Sequence, residues 1–500
     1  MRSFNRVLFG PFWRHNEPAL PKYMYIPCRF RYKKKWAMHL KQNTGCQQAL
    51  DHFDAFYKPF YGDKWPLIRV SLLSLSKHCA VINKFADPEK ARLRLSNLGA
   101  DDLVKSARRL QGQLEQEALT EQTLSHNSVE TSSERIPELD LVANENSFNR
   151  SYSSLYNSSP RESLLEKSQQ KVFCEDDRVD HGLQTGQEID PIYDELYKDN
   201  IDVFVPTVQV LSERDQLLKD ELNLNMFEPR NIDVQVQRPE SINIARDIEA
   251  FAFPAGDVSQ FPPAKSHNHR FGYYLMDAAS VMPVIALNVQ SEDQVLDLCA
   301  APGGKTVLIL QCLDLSAGGS LTCNDNSPSR VKRLKSVLRS YLPKDDLGQV
   351  EVMQLDGTML NHCVYNKVLV DVPCNADRHV LTEEENNLFK PSRTRERLAV
   401  MEHQKKLLIS AIRCCIVGGE IVYSTCTLAP AQNDGVIQAA MEELLETSQI
   451  EVAVEDLSPL ASMFKDTFTF FEKSRYGQTI IPTLLNNFGP SFFAKLRRIK

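Results

Sequence analysis

The chain has 500 residues, of which 42% are hydrophobic and 25% are charged, and its formal net charge is −7. This length allows two or three domains, and no apolar run of about 18 residues predicts a membrane span, so no membrane contact is expected. The 12 cysteines include no C-x-x-C pair, which argues against a disulfide framework and a zinc module, and no metal site is predicted.

Charged residues are distributed unevenly along the chain. Residues 1–110 contain 21 Lys and Arg against 8 Asp and Glu, residues 111–250 contain 12 against 29, and residues 251–500 contain 25 against 28. The net charges of these three segments are therefore +13, −17 and −3. Only the first segment has the sign that is expected for contact with nucleic acid.

Residues 1–25 are predicted to be a mitochondrial presequence. The first 49 residues contain one acid, Glu17, against ten Lys and Arg, and Arg2, Arg6 and Arg14 alternate with apolar side chains. Arginine-bearing segments that are poor in acids are typical of presequences, and this one would direct the protein to the mitochondrial matrix. A basic tail that binds RNA is the alternative interpretation.

Residues 26–111 are predicted to form a small, basic, helical extension that packs against the catalytic domain. Arg29–Trp36 interleaves cations with aromatic rings, which suits RNA because cations neutralise phosphates and rings stack on exposed bases. A solvated run of charge is the alternative for this stretch. Residues 76–86 and 98–111 are predicted to be helices.

Residues 112–245 are predicted to be an acidic, serine-rich and largely disordered insert. The segment lacks sustained periodicity and has too little apolar surface to offset the entropy lost on ordering. Ile201–Leu211 and Asp215–Leu222 are candidates for short elements. A spacer is the favoured role, and repulsion of RNA or binding of a basic partner is the alternative.

Residues 246–500 are predicted to be the catalytic domain. Tyr273–Pro283 is predicted to be an apolar helix before the first strand. Val295–Leu298 indicates a buried strand, followed by a small-residue turn and a helix that begins at Gly304, the unit in which α/β sheets bind nucleotide-like ligands. Because Cys299 stands where a phosphate-binding loop needs glycine, and G-x-G-x-x-G is missing, a nucleoside triphosphate and a nicotinamide cofactor are both disfavoured.

The later strands end in acids that suit a ligand with a ribose and an adenine. Asp325 lies 21 residues after Gly304, where a carboxylate can accept both ribose hydroxyls. Asp356 and Gly357 are suitably placed for the adenine edge, and Asp371 ends a further strand. Three unrelated turn aspartates are the alternative. The strands concerned are 320–324, 350–355 and 367–371.

The alternation of strands and helices predicts a doubly wound, Rossmann-like α/β sheet of mostly parallel strands. The predicted helices are 304–313, 328–341, 396–416 and 431–446. Two later strands, 467–471 and 492–498, are expected to add an antiparallel pair.

Two cysteines follow neighbouring strands beside the ligand cleft. Asp371-Val372-Pro373-Cys374 ends one strand, and Ser424-Thr425-Cys426-Thr427 follows the strand 419–423. Thiols in this position suit covalent catalysis on an aromatic ring, and buried small hydrophobic side chains are the alternative. In the loop after Cys374, Arg378 is a candidate for contact with RNA phosphate. His379 is expected to be a surface histidine rather than a general base.

With the stretch from Asp297 to Thr306, these motifs resemble those of the NOL/NOP/Sun family of S-adenosylmethionine-dependent RNA cytosine-5 methyltransferases. The similarity covers residues 246–500. It also includes Arg29–Trp36 and Gly62–Ser74, which resemble the mitochondrial small-subunit rRNA branch of that family. The resemblance implies a class I methyltransferase fold with S-adenosyl-L-methionine as cofactor. Val372 departs from the pattern, because many relatives have Pro or Ala there.

The resemblance also implies a role for each site residue. Cys426 is expected to add to C6 of the cytosine and Cys374 to help release the covalent product, while Asp371 contacts either the base edge or the cofactor. The target cytosine must be flipped or single-stranded to admit this attack. The residues expected to bind the cofactor are Cys299, Ala300, Ala301, Pro302, Gly303, Gly304, Lys305, Asp325, Arg330, Asp356, Gly357 and Asp371.

The predicted function is methylation of cytosine C5 in mitochondrial small-subunit rRNA, with a role in ribosome assembly. A tRNA cytosine-5 methyltransferase and an assembly factor that acts by binding are the alternatives. The expected partners are mitochondrial rRNA and the small or large mitochondrial ribosomal subunit. Because the catalytic portion carries only −3, a basic partner is also expected. The resemblance points to a heterodimer with a helical-repeat protein of the mitochondrial transcription termination factor family.

Overall fold

The computed structural model describes residues 44–113, 234–239, 243–267 and 269–500. The predicted presequence, the basic segment Arg29–Trp36 and the candidate elements Ile201–Leu211 and Asp215–Leu222 lie outside the described residues. None of the described helices combines the length with the hydropathy that crossing a bilayer demands.

The four helices predicted at 304–313, 328–341, 396–416 and 431–446 are confirmed to within three residues at each end. The helices of the described ranges are α1 (Gly45–Tyr61), α2 (Trp65–Leu73), α3 (Pro88–Asn97), α4 (103–113), α5 (Met282–Leu287), α6 (Gly304–Cys312), α7 (Pro328–Tyr341), α8 (Lys344–Leu347), α9 (Asp377–Thr382), α10 (Thr394–Cys414), α11 (Asp434–Thr447) and α12 (Ser458–Met463).

The strands fall into one large sheet, one four-stranded sheet and one hairpin. The strands of the described ranges are β1 (Cys79–Ile82), β2 (Asp101–Asp102), β3 (Val236–Gln237), β4 (Ala250–Ala252), β5 (Ser266–His267), β6 (Arg270–Phe271), β7 (Tyr273–Met276), β8 (Gln294–Asp297), β9 (Ser320–Asn324), β10 (Val350–Met353), β11 (Tyr365–Asp371), β12 (Cys415–Thr425), β13 (Val452–Glu455), β14 (Thr469–Phe471), β15 (Gln478–Ile481) and β16 (Ser491–Arg498).

The large sheet has the order β10-β9-β8-β11-β12-β16-β13-β3, with β15 beside β16 and β14 beside β15. Strands β10, β9, β8, β11 and β12 are parallel, and β16 is antiparallel to β12 and β13. Apolar side chains cover both faces, in clusters centred on Val295 and Leu308 on one side and on Leu296 and Leu408 on the other. The predicted class I methyltransferase fold is therefore confirmed. Because its parallel strands all end at one edge, the residues that follow them converge.

The predicted antiparallel pair of strands 467–471 and 492–498 needs a correction. β14 does pair in an antiparallel manner, but with β15, and β15 in turn pairs with β16. The sequence interpretation missed β15 and β13 because both are only four residues long. Short strands give little periodicity, and their pairing depends on distant partners.

Residues 44–113 of the N-terminal part belong to the same compact unit as residues 246–500. The helix predicted at 76–86 is wrong: β1 forms there and pairs with β4 and β7. The predicted helix Tyr273–Pro283 is also wrong over its first half, which is β7, and only Met282–Leu287 is α-helical. Both stretches are apolar runs without a clear period. Each forms a strand, because it pairs with a partner strand that lies about 200 residues away in sequence.

Helix α1 shows how local sequence places the extension. Thr44 caps its start by accepting a hydrogen bond from the Gln47 N–H. Its buried side chains recur every four residues and form one apolar stripe, from Ala49 through Phe53 and Tyr57 to Tyr61. This stripe packs with α2 against Val380, Leu381, Leu428 and Ala429 of the catalytic domain.

Candidate active site

The two cysteines predicted to be catalytic lie side by side at the carboxyl edge of the large sheet. Asp371 of β11 is in register with Ser424 of β12, and the chain continues from these residues to Cys374 and Cys426. The two Sγ atoms lie 3.1 Å apart, and the Cys426 N–H donates to Cys374 Sγ at 3.3 Å. Cys426 is exposed and Cys374 is partly buried, so a ligand from solvent can reach both thiols.

A charged group lies next to this pair. Lys305 Nζ donates to Asp371 Oδ2 at 2.7 Å, and the Ser424 hydroxyl donates to Asp371 Oδ1 at 2.8 Å. Burial acts to lower the pKa of Lys305, but the adjacent Asp371 carboxylate more than compensates, so the pKa of Lys305 is raised and it stays charged. From the sequence, Lys305 belongs to the turn 299–305, hereafter the cofactor turn. The structure also brings its side chain close to the two cysteines.

The thiol of Cys426 is held in its neutral form. Its hydrogen bond with Cys374 raises its pKa well above the usual value, and the negative charge of Asp371 acts in the same direction. The side chain is exposed at the surface, so burial contributes little to this rise. The positive charge of Lys305 opposes them. A nucleophilic thiolate at this position therefore depends on Lys305 and on a change in the contact with Cys374.

The turn from Cys299 to Lys305 connects β8 to α6 beside the cysteines. Ala300 N–H donates to Asn324 O at 2.8 Å, which ties the turn to β9. Gly303 has a φ of 114°, which glycine adopts readily, and a Cβ there would lie 3.0 Å from the Leu334 side chain. The first hydrogen bond of α6 is donated by Val307 N–H to Gly303 O, so the preceding N–H groups have no partner within the helix.

Asp297 lies beneath this turn. Its Oδ2 accepts from the Thr306 hydroxyl at 2.7 Å, whereas Oδ1 is buried and has no hydrogen-bond partner in the described part of the chain. Burial raises the pKa of Asp297 to about 7, and the hydrogen bond from Thr306 acts against that rise. Sequence reasoning did not single out Asp297.

Asp325 and Arg330 form a pair on the other side of the turn. Arg330 donates to the Ala301 carbonyl and lies 3.3 Å from Asp325 Oδ2, while the Ser327 N–H donates to Asp325 Oδ1 at 3.0 Å. Asp325 is almost fully buried, with 3% of its surface exposed. The structure thus brings together the turn, Asp325 and Arg330, as the sequence interpretation expected.

Asp356 and Gly357 follow β10. Asp356 is exposed and caps a short 3-10 turn by accepting from the Thr358 N–H at 3.0 Å. Gly357 is buried, and a Cβ there would lie 2.9 Å from the side chain of Leu407. The Thr358 contacts use only Oδ1 of Asp356, so Oδ2 is left for another partner.

A buried network behind Cys426 was missed by sequence reasoning. Asp377 is fully buried and accepts from the Thr427 hydroxyl at 2.7 Å, the Leu428 N–H at 2.8 Å and the Tyr57 hydroxyl at 3.1 Å. Burial raises the pKa of Asp377 to about 6, although these three hydrogen bonds act to lower it. Tyr57 and Asp377 are 320 residues apart, so no local pattern could have joined them.

Arg378, a candidate for contact with RNA phosphate, is instead bonded within the protein. Its guanidinium donates to the backbone carbonyls of Gly489, Ser71 and Ser74 and to the Asn487 side chain, all within the protein. It therefore clamps α2 to the loop before β16. His379 is exposed, and its Nε2 contacts the Glu385 carbonyl, in agreement with a surface role.

The arrangement fits S-adenosylmethionine on three observations. The first-turn N–H groups of α6 suit the carboxylate of a methionine group, Asp325 suits the ribose hydroxyls, and the unpartnered Oδ1 of Asp297 lies under the turn. In the described residues no cluster of His, Cys, Asp and Glu has an arrangement that could hold a metal ion.

Comparison with known proteins gives consistent similarities. Residues 284–496 match the family model described as 16S rRNA methyltransferase RsmB/F. The chain is 36% identical over 483 residues to 5-cytosine rRNA methyltransferase NSUN4 of Mus musculus, covering 95% of this chain and 94% of that protein. It is 31% identical over 479 residues to 5-cytosine rRNA methyltransferase nsun-4 of Caenorhabditis elegans, covering 94% and 96%.

A second group of relatives matches a shorter part. The mitochondrial tRNA (cytosine(34)-C(5))-methyltransferase of Mus musculus is 36% identical over 242 residues, which cover 47% of this chain and 67% of that protein.

Proposed function

Because this chain belongs to the family of 5-cytosine rRNA methyltransferases, we propose that Cys426 and Cys374 methylate C5 of a cytosine in mitochondrial small-subunit rRNA through a covalent adduct. The observation that carries the proposal is the 3.1 Å separation of the two thiols beside the Lys305–Asp371 pair. One sulfur can therefore bond to a base while the other stays close to the reacting carbons.

Cys426 is the nucleophile in this proposal. The C5 atom of cytosine is a poor nucleophile until a thiolate adds at C6, which forms the S–C6 bond and moves an electron pair to C5. Lys305 favours the thiolate through its charge, and Asp371 anchors Lys305 at 2.7 Å. S-adenosylmethionine supplies the electrophilic methyl group that C5 takes up.

Cys374 completes the cycle. After methyl transfer C5 still carries its hydrogen, and loss of that proton drives the electron pair back to expel the Cys426 thiolate from C6. Cys374 Sγ is near enough to take the proton directly or through one water. The same thiol hydrogen-bonds Cys426 before the reaction, so its displacement by the base frees the nucleophile.

The cofactor would be held mainly by the turn after β8. In our proposal Gly303, Gly304 and Lys305 present backbone N–H groups to its methionine part, and Asp325, supported by Arg330, accepts the ribose hydroxyls. Asp356 and Gly357 border the adenine, and Cys299, Ala300, Ala301 and Pro302 form the wall of the turn. Asp371 is bound to Lys305 and Ser424, which supports a positioning role over a free contact with the base edge.

Two cysteine variants test the mechanism. Cys426→Ala is expected to abolish methyl transfer to rRNA, while Cys374→Ala is expected to accumulate a protein–RNA adduct that resists denaturation. Cys363→Ala is the matched control, because Cys363 is also an exposed thiol but lies before β11, away from the carboxyl edge. Unchanged methyl transfer by Cys426→Ala would refute the assignment of the nucleophile.

The mitochondrial location and the rRNA class are supported by the basic, acid-poor N-terminus and by the relatives that match nearly the whole chain. The alternative of a tRNA substrate is favoured by the similarity to a mitochondrial tRNA enzyme, which covers less of this chain. Bisulfite sequencing of mitochondrial and cytosolic RNA after depletion of the protein separates the two, because only the true target loses its 5-methylcytosine.

The proposed role extends to ribosome assembly and to partners. A heterodimer with a helical-repeat protein of the mitochondrial transcription termination factor family would add RNA affinity, and the ribosomal subunits are the expected site of action. Rescue of ribosome assembly by the Cys426→Ala protein would favour a function by binding alone. Tight, site-specific binding of rRNA by the purified enzyme would make the partner unnecessary.

A further inference from the structure

Helix α7 is the most uniformly basic helix at the cofactor edge of the large sheet. It contains Arg330, Lys332, Arg333, Lys335 and Arg339 and no acid. The surrounding segment, residues 251–500, has a net charge of −3. The helix therefore concentrates positive charge within a portion of the chain that is negative on average.

Four of these side chains are exposed and have no ion-pair partner in the described part of the chain: Lys332, Arg333, Lys335 and Arg339, hereafter the α7 basic face. Cations of α10 behave differently. Lys405 pairs with Glu402 and Glu443 at 2.8 Å, and Lys406 lies 3.4 Å from Glu402. The α7 basic face is thus not neutralised by acids of the described residues and presents a concentrated positive potential to solvent.

The α7 basic face borders the active site. At the start of the helix Arg330 contacts the Ala301 carbonyl and Asp325. Tyr274 packs against Gly304 of the cofactor turn, and its phenol lies within the electrostatic reach of both Arg333 and Lys305. Tyr274 therefore lies between Arg333 of α7 and Lys305, which is beside the cysteines.

The distances suit a nucleic-acid strand. Helix α7 follows β9, and Cys426 follows β12, three strands away in the order β9-β8-β11-β12. At the usual strand spacing this is about 14 Å, a span that a few nucleotides cover. Lys332, Lys335 and Arg339 lie on one side of the helix over about 10 Å, a row that suits successive phosphates better than one small anion.

We propose that the α7 basic face binds the phosphate backbone of the rRNA strand that flanks the target cytosine. The inference rests on the proposed function, since it takes rRNA as the substrate. Contacts to phosphates carry no sequence information but fix the register of the strand, so the face would guide the cytosine toward Cys426. It would also supply affinity that the overall charge of the catalytic portion does not provide.

The test removes two charges from this face and two from a matched position. Lys332→Gln/Arg339→Gln changes exposed cations seven residues apart on α7. Lys406→Gln/Arg413→Gln changes exposed cations with the same spacing on α10, the helix that precedes β12. Binding of full-length protein to mitochondrial small-subunit rRNA, transcribed in vitro, is measured by fluorescence anisotropy between 50 and 200 mM salt.

The α7 variant is expected to bind the rRNA about tenfold more weakly, with the slope of log K against log[salt] reduced by about 1.5, because each phosphate contact contributes about 0.7 to 0.9. The control variant is expected to match the wild type. Equal binding by the α7 and control variants, or an unchanged salt slope, would overturn the inference.

Failure of the proposed function and failure of this inference are distinguishable. Absence of methyl transfer by the wild-type protein on total mitochondrial RNA would refute the function. The inference on α7 is refuted instead by the comparison of the two double variants, which needs binding data alone.

Discussion

At the scale of single residues, the reactivity of Cys426 is set by two neighbours that act in opposite directions. The hydrogen bond with Cys374 is the largest cause that raises the pKa of the Cys426 thiol, and the charge of Lys305 lowers it. The resting site therefore holds a protected thiol that arrival of the base can activate. Such protection limits reaction of the nucleophile with other electrophiles.

This balance predicts opposite shifts in two variants. In Lys305→Met the alkylation of Cys426 by iodoacetamide should reach its half-maximal rate at a higher pH than in the wild type, because a favourable charge is lost. In Cys374→Ala the alkylation should reach its half-maximal rate at a lower pH, because the hydrogen bond that raises the pKa of Cys426 is lost. Site-resolved mass spectrometry of alkylated Cys426 against pH measures both. Lys332→Met serves as the control, and shifts in the same direction in both variants would contradict the interpretation.

At the scale of elements, α1 supports the loop that carries Cys426, the proposed nucleophile. The Tyr57 hydroxyl donates to Asp377 and the Tyr61 hydroxyl donates to the Leu428 carbonyl, across 320 and 367 positions of sequence. Helix α1 is therefore part of the structure that positions the proposed active site.

Removal of one hydroxyl tests that support. Tyr57→Phe is expected to lower the free energy of unfolding by about 1 kcal/mol and to reduce kcat more than it changes the affinity for S-adenosylmethionine, because the nucleophile loop loses a tether. Tyr476→Phe is the matched control, since the buried Tyr476 hydroxyl has no hydrogen-bond partner in the described residues. Chemical denaturation and steady-state kinetics of both variants are the measurements. A larger effect of Tyr476→Phe would count against the tether.

The elements differ in how far the sequence could predict them. The sequence predicts α7 and β9 to the residue, and it predicts α10 and β11 to within two residues. The stretch at Tyr273 was assigned to a helix because its apolar run has no alternation. Its strand conformation is stabilised by pairing with β1, which no local pattern encodes.

Some residues of the candidate site could likewise be predicted from the sequence, and others could not. Cys374, Cys426 and the turn up to Lys305 could be located because each follows a strand directly, and parallel strands end at one edge. The contact of Lys305 with Asp371 and the role of Asp377 could not be located, because both depend on side chains that meet only after the sheet and the extension have packed.

At the scale of the whole molecule, several buried carboxyl groups make stability depend on pH. Burial raises the pKa of Asp297 to about 7 and those of Asp377 and Asp434 to about 6. A carboxyl group with a raised pKa binds its proton more tightly in the folded state. Its contribution to stability is therefore present below the ordinary pKa near 4 and is lost as the pH rises through the folded value.

Asp434 allows a direct test of this dependence. Its oxygens accept from the N–H groups of Arg475 and Tyr476, at 3.0 and 2.9 Å. Asp434→Asn should lower the free energy of unfolding at every pH, because one of those hydrogen bonds is lost. The free energy of unfolding of the variant should fall by about 1 kcal/mol less between pH 5 and pH 7.5 than that of the wild type, because the titrating carboxyl group is gone. Urea denaturation at both pH values, with exposed Asp466→Asn as control, is the measurement, and an unchanged decline would refute it.

Helix α4 contacts residues 244 and 245, which lie more than 130 positions later in the chain. Arg108 of α4 donates to the Ala245 carbonyl at 3.0 Å, and the Ile244 N–H donates to Gln111 at 3.4 Å. These two hydrogen bonds hold the flanks of the intervening stretch together, and closure entropy grows only slowly with loop length, by about 0.6 kcal/mol for each doubling. A change in the length of residues 114–233 is therefore expected to have only a small effect on the free energy of unfolding.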